Sequence, residues 1–146
     1  MKNVKKTWVA LALMGCMQVL HAQTVYLHSD NPQMRWKLKP QAEVGTDVKS
    51  LCENGYNVSA WVDAVVPGTA FNSYVIAGLE KDPNFGDNFH QVNRDKYDRS
   101  FWYRTTFRVP ADFTKELIWL NFNGVNRRAE VYLNGTFLCK LDGFMH

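Results

Sequence analysis

The chain has 146 residues, 17 basic against 14 acidic, and a formal net charge of +3. That length allows one domain. Lys2, Lys5 and Lys6 sit in a leader-like start, and without them 14 basic residues face 14 acidic ones. A balance that even removes any electrostatic case for nucleic acid, which calls for a basic face.

The three lysines are followed by an apolar run from Trp8 to Leu20, and Leu20-His21-Ala22 places a small residue just before Gln23. This is the pattern of a secretory signal peptide over residues 1–22, cut near Ala22. The run is too short for a membrane span, which needs about 20 apolar residues. It also lacks the polar face of a surface helix. Leu13-Met14-Gly15-Cys16 resembles a lipoprotein box with Cys16 as the lipidated residue. Apolar residues continue past Cys16, which favours soluble export, periplasmic or extracellular, over a lipid anchor. Residues 23–146 then form the domain and keep two cysteines, Cys52 and Cys139. They could pair in an oxidising compartment, but two cysteines do not make a disulfide framework. A buried free thiol is the simpler reading of Cys139.

Met34 to Leu38 alternates around Trp36 and reads as a first strand. Lys39 to Asn57 is polar with scattered glycines, predicting loop and a weak strand. Ser59 to Val66 is a further strand, ended by Pro67-Gly68. Phe71, Tyr74, Val75 and Leu79 fall near helical spacing, and Gly78 suits a helix end. Lys81 to Arg99 is rich in Asp and Asn and predicts a long surface loop. Loops of that length tend to be functional or disordered.

From Phe101 to Pro110 the residues alternate strictly. Phe101, Tyr103, Thr105, Phe107 and Val109 share the face expected to be buried, and Trp102, Arg104, Thr106 and Arg108 the other. Ile118, Leu120 and Phe122 repeat the pattern, and so do Ala129, Val131 and Leu133. Asn134-Gly135 is the preferred pair for a two-residue hairpin turn, with Thr136 to Lys140 returning. Strands at this spacing with scarcely any helix predict an all-β sandwich.

Several pieces, in order, carry a family likeness: Trp61 with VPGT (Val66 to Thr69), DPNFGDN (Asp82 to Asn88), WYRTTFRVP (Trp102 to Pro110), FNGVNRRAEVYLNG (Phe122 to Gly135) and GFM (Gly143 to Met145). In these the chain resembles the N-terminal sugar-binding domain of glycoside hydrolase family 2, and DPNFGDN leans toward the β-mannosidase and exo-β-glucosaminidase branch. The resemblance implies a jelly-roll, galactose-binding-like β-sandwich, incomplete at the C-terminus because the family's domain runs on with further strands. It implies a β-linked glycoside as ligand. The partners it implies are an immunoglobulin-like domain and a (β/α)8 barrel with two catalytic glutamates, so that this chain alone is inactive. Cys139 stands where the family commonly has glycine.

Glycoside hydrolysis needs two carboxyl groups flanking the scissile bond, one with a raised pKa. The acidic residues here lie in loops or on outward strand positions such as Glu130, so no catalytic residue is assigned. Asp82 to Asn88 superficially resembles a calcium loop but has Gly86, Asp87 and Asn93 where an EF-hand wants an oxygen ligand, glycine and glutamate. A loop shaped by its own side-chain hydrogen bonds and Gly86 is the simpler reading. His28, His90 and His146 have no ligand spacing, so no metal or other cofactor is expected. Trp36, Trp61, Trp102 and Trp119 invite sugar stacking, although aromatics in sandwiches are more often core. Trp102 and Trp119 lie opposite the faces expected to be buried. They could bind sugar, pack a second sheet or dock a partner domain, and docking is preferred because a bracing domain exposes apolar surface. The contact candidates, for sugar or interface, are Asp82, Asn88, Asp98, Trp102 and Trp119.

Overall fold

The computed structural model describes residues 24–111, 113 and 117–143. The expected leader over residues 1–22, with Cys16 and the Ala22 cut, lies outside the described residues, as do Phe144 to His146.

The strands are β1 (Lys37–Pro40), β2 (Val62–Asp63), β3 (Phe101–Arg104), β4 (Arg128–Leu133) and β5 (Thr136–Asp142). Short helices stand between them: α1 (Val48–Leu51), α2 (Ala70–Ile76) and α3 (Asn88–Gln91). An antiparallel sheet runs in the order β2-β1-β3, and β4-β5 is a separate hairpin. The helices are too short to form a bundle, so sheet dominates.

Leu38 points from β1 into the centre, where it is fully buried with Ala64 and Tyr74. Trp36, Val66, Tyr97 and Phe101 close around them. Lys37, on the opposite face of β1, reaches across to its register partner Asp63 at 2.8 Å. The segment before β1 is tied on by polar contacts. Trp36 Nε1 donates to the Leu27 carbonyl at 2.6 Å, and Ser29 Oγ accepts from Val66 N at 2.8 Å.

The helix expected over Phe71 to Leu79 forms as α2, and local chemistry sets both of its ends. Thr69 Oγ1 caps the N-terminus by accepting from Asn72 N at 3.0 Å. At the C-terminus, Gly78 takes φ +71, and the Leu79 and Gly78 amides donate back to Tyr74 and Val75. That is the double bond of a Schellman stop, which favours glycine. Ser73, wholly buried, fastens α2 to the sheet. Its Oγ donates to the Thr69 carbonyl and accepts from Val65 N, both at 3.0 Å.

Several expectations change. The strand from Phe101 stops at Arg104, because its partner β1 begins at Lys37, opposite Arg104, and residues 105–110 have no ladder beside them. Ile118, Leu120 and Phe122 form no strand for the same reason, and all three side chains are exposed. Alternation alone does not make a strand without a partner. In place of a weak strand in Lys39 to Asn57 there is α1, capped by Asp47 Oδ1, which accepts from Lys49 N at 3.1 Å.

The hairpin forms as expected, with Asn134 at φ 51 and Gly135 at φ 82, the positive pair that its turn requires. Ala129 and Val131 are half-buried, but Leu133, expected to be buried with them, is exposed. A bulge follows, since Val131 faces Cys139 while Tyr132 faces Phe137 and Leu138 is left unpaired. Cys52 and Cys139 are free and half-buried.

Candidate functional site

The loop DPNFGDN is knitted from within. Asp82 Oδ1 accepts from Asn84 N at 2.9 Å and Asn84 Nδ2 at 3.0 Å. Asn88 Nδ2 donates to the Asp82 carbonyl at 2.9 Å, and Gly86 takes φ +58. This is the self-bonded loop read from the sequence. It brings two of the contact candidates, Asp82 and Asn88, together. Asp98 is exposed after a 3-10 turn (Arg94–Lys96). No hydrogen bond joins Asp98, Trp102 or Trp119 to the Asp82–Asn88 pair among the described residues.

The two tryptophans part company. Trp102 is half-buried, its ring 5.8 Å from that of Tyr132 on β4, so it packs against the hairpin. Of the three uses open to it, packing a second sheet is the contact seen. Trp119 is 81% exposed, beside exposed Leu117 and Ile118.

Two clusters escaped the reading of the sequence. Arg104, expected to face outward, donates from Nε to the Leu51 carbonyl at 2.8 Å and from its terminal nitrogen to the Glu53 carbonyl at 2.6 Å. The C-terminal end of α1 leaves carbonyls unpaired, and a guanidinium satisfies them well. At the base of the long loop, Glu80 Oε1 accepts from Lys96 Nζ and, at 2.8 Å, from the Tyr97 hydroxyl. The Lys96 ammonium stands 5.2 Å from the Tyr74 ring centroid and 5.7 Å from that of Tyr97. An acidic and a basic residue bracketing a polar stretch were the only signal of this in the sequence.

The electrostatics follow from those contacts. The hydrogen bond from Lys96, and then that from Tyr97, hold the Glu80 carboxyl below its usual range. Burial first, and then the Glu80 carboxylate, push the Tyr97 hydroxyl well above the ordinary tyrosine value. Burial likewise raises Tyr74. A glycosidase acid needs a carboxyl shifted the other way. Lys96 and Tyr97 thus hold Glu80 as an anion at the base of the loop.

Residues 36–146 match the family described as glycosyl hydrolase 2 galactose-binding domain-like. An exo-beta-D-glucosaminidase of Hypocrea virens is 30% identical over 103 residues, which cover 68% of this chain and 12% of that protein. An exo-beta-D-glucosaminidase of Amycolatopsis orientalis is 28% identical over 72% of this chain and 10% of its own length. A mannosylglycoprotein endo-beta-mannosidase of Lilium longiflorum is 36% identical over 51% of this chain and 8% of its own length. The chain thus spans about a tenth of the length of these relatives. The lean toward the mannosidase and exo-glucosaminidase branch agrees with these relatives. No solved structure matches the chain. With 36–146 matched, most of its length, the chain belongs to the glycosyl hydrolase 2 galactose-binding domain-like family.

Proposed function

We propose that residues 23–146 are a carbohydrate-binding and bracing domain of a β-glycosidase, folded as a jelly-roll sandwich. The parent enzyme hydrolyses β-linked glucosaminides or mannosides through two glutamates of a barrel domain, by the retaining route. The observation that carries this is the family match over 36–146, joined to relatives named for those two sugars. The meeting of the β2-β1-β3 sheet and the hairpin at Trp102 and Tyr132 supports the sandwich. Asp82, Asn88 and Asp98 are the proposed polar contacts to sugar or to the barrel.

The test uses the whole chain. Aryl β-glucosaminide, β-mannoside and β-galactoside should give no turnover, and calorimetry should show saturable binding of glucosamine or mannose oligomers. Turnover by the purified chain sinks the proposal.

The exposed run Leu117 to Leu120, with Trp119 at its crest, favours a second reading, in which the domain only docks a catalytic partner. Complex formation with a barrel domain and no heat from any glycan would support that one. We also propose export by the leader over residues 1–22. Mass spectrometry of the mature chain should find Gln23 at its N-terminus, and an acylated Cys16 would favour anchoring instead.

A further inference from the structure

Residues 81–95 leave the body of the domain at Glu80 and return at Lys96 and Tyr97. Three of their polar contacts are nested. The outermost joins Glu80 to Lys96 and Tyr97. Inside it, Lys81 Nζ donates to Gln91 Oε1 at 3.1 Å, and inside that Asn88 Nδ2 donates to the Asp82 carbonyl. Of these three, the outermost reaches the core. The Tyr97 ring meets Phe71 and Tyr74 edge-on at 5.1 and 5.6 Å, and Lys96 lies over Tyr74. Within the loop Phe85 and Phe89 stand in solvent, with the Arg94 guanidinium 5.8 Å from the Phe89 ring.

Exposed polar bonds each contribute little in water, and a shut base shortens the span that the Lys81–Gln91 and Asp82–Asn88 contacts have to close. The inner contacts are therefore firmer while the base is shut. We propose that residues 81–95 are a strap that opens and closes as one unit, with Glu80, Lys96 and Tyr97 as its buckle. The strap stands whether or not the domain binds sugar. It presents Asp82, Asn88, Phe85 and Phe89 together or not at all.

Amide hydrogen exchange on the full chain, resolved by residue, tests this. The amides of Asn84, Phe85, Asn88, His90 and Asp95, each bonded within the strap, should share one opening rate. Lys96→Ala should raise all of them by about fivefold together. The amides of Leu38 and Ser73 in the core should change by less than about twofold. Tyr97→Phe keeps the packed ring, removes only the hydroxyl bond, and should give the same common rise. Rates that scatter from turn to turn, or that rise in step with Leu38, would overturn the proposal.

Discussion

The indole of Trp102 stands 5.8 Å from the ring of Tyr132, and the β2-β1-β3 sheet meets the hairpin there. Trp102 projects from the face of β3 opposite Phe101, which packs on the core of Leu38 and Tyr74. One short strand therefore serves two packings. Trp102→Ala should destabilise the chain by about 2 kcal/mol, less than a fully buried aromatic because the ring is half-exposed. A double cycle with Tyr132→Ala in urea should show a coupling of about 0.5–1.5 kcal/mol. Strict additivity would mean that the rings do not cooperate.

Ser73→Ala should cost about 1–3 kcal/mol although it removes a single oxygen. The change leaves the Val65 amide without its acceptor, and the serine it replaces is wholly buried. Ser73→Thr restores the hydroxyl with one extra methyl and should recover part of the loss. Thermal melts of the three chains measure it.

At Gly68 the constraint is space. A Cβ there would lie 2.8 Å from the Val65 carbonyl oxygen and 3.1 Å from its side chain. Gly68→Ala should cost about 1–3 kcal/mol, because backbone has to shift. Gly45 faces open space, so Gly45→Ala should be neutral or slightly stabilising. Equal melting points for the two variants would refute the crowding.

Arg104→Lys should behave as a loss rather than a conservative change. An ammonium cannot span the Leu51 and Glu53 carbonyls as the guanidinium does. The expected cost is about 1–3 kcal/mol, read as a lower urea midpoint with an unchanged slope.

Stability should depend on pH at both ends. Glu80 is held low by Lys96 first and Tyr97 second, so its ionised form favours the fold. That contribution is complete above the ordinary value of 4.5 and is lost as pH falls through the lowered folded value. Tyr97 is raised by burial and by Glu80. Its contribution is complete below 10.0 and is lost as pH rises toward the folded value. Glu80→Gln should flatten the acid limb of a denaturation-midpoint profile. An unchanged acid limb would rule Glu80 out as its source.

Elements whose cause is local were legible in the sequence. The α2 helix carries its own cap at Thr69 and its own stop at Gly78, and the hairpin carries Asn134-Gly135 at its turn. The bonds of the DPNFGDN loop span a few residues, so they too could be read. What was not legible depends on partners far along the chain. Residues 105–110 and 118–122 have strand alternation but no neighbouring ladder, and Arg104 finds carbonyls more than fifty positions away. The Glu80 buckle joins positions 16 and 17 apart across a stretch with no periodicity. Of the contact candidates, Asp82 and Asn88 share a loop, whereas Trp102 turned inward to Tyr132, a choice that the β3 alternation left open.

The unpaired Leu138 has a consequence for how this hairpin can vary. In a regular strand Phe137, two positions from Cys139, would share its side. The extra residue Leu138 lets Cys139 stay opposite Val131 while Phe137 faces Tyr132, 5.5 Å between rings, and joins the Trp102 contact. The two-residue turn already sets Phe137 against Tyr132, so what the extra residue decides is the facing of the strand beyond it, from Cys139 to Asp142. Deleting Leu138 would therefore leave Phe137 opposite Tyr132 and Cys139 opposite Val131, and the contact should survive it, whereas a residue added or lost between the turn and Phe137 would carry the ring to the other face.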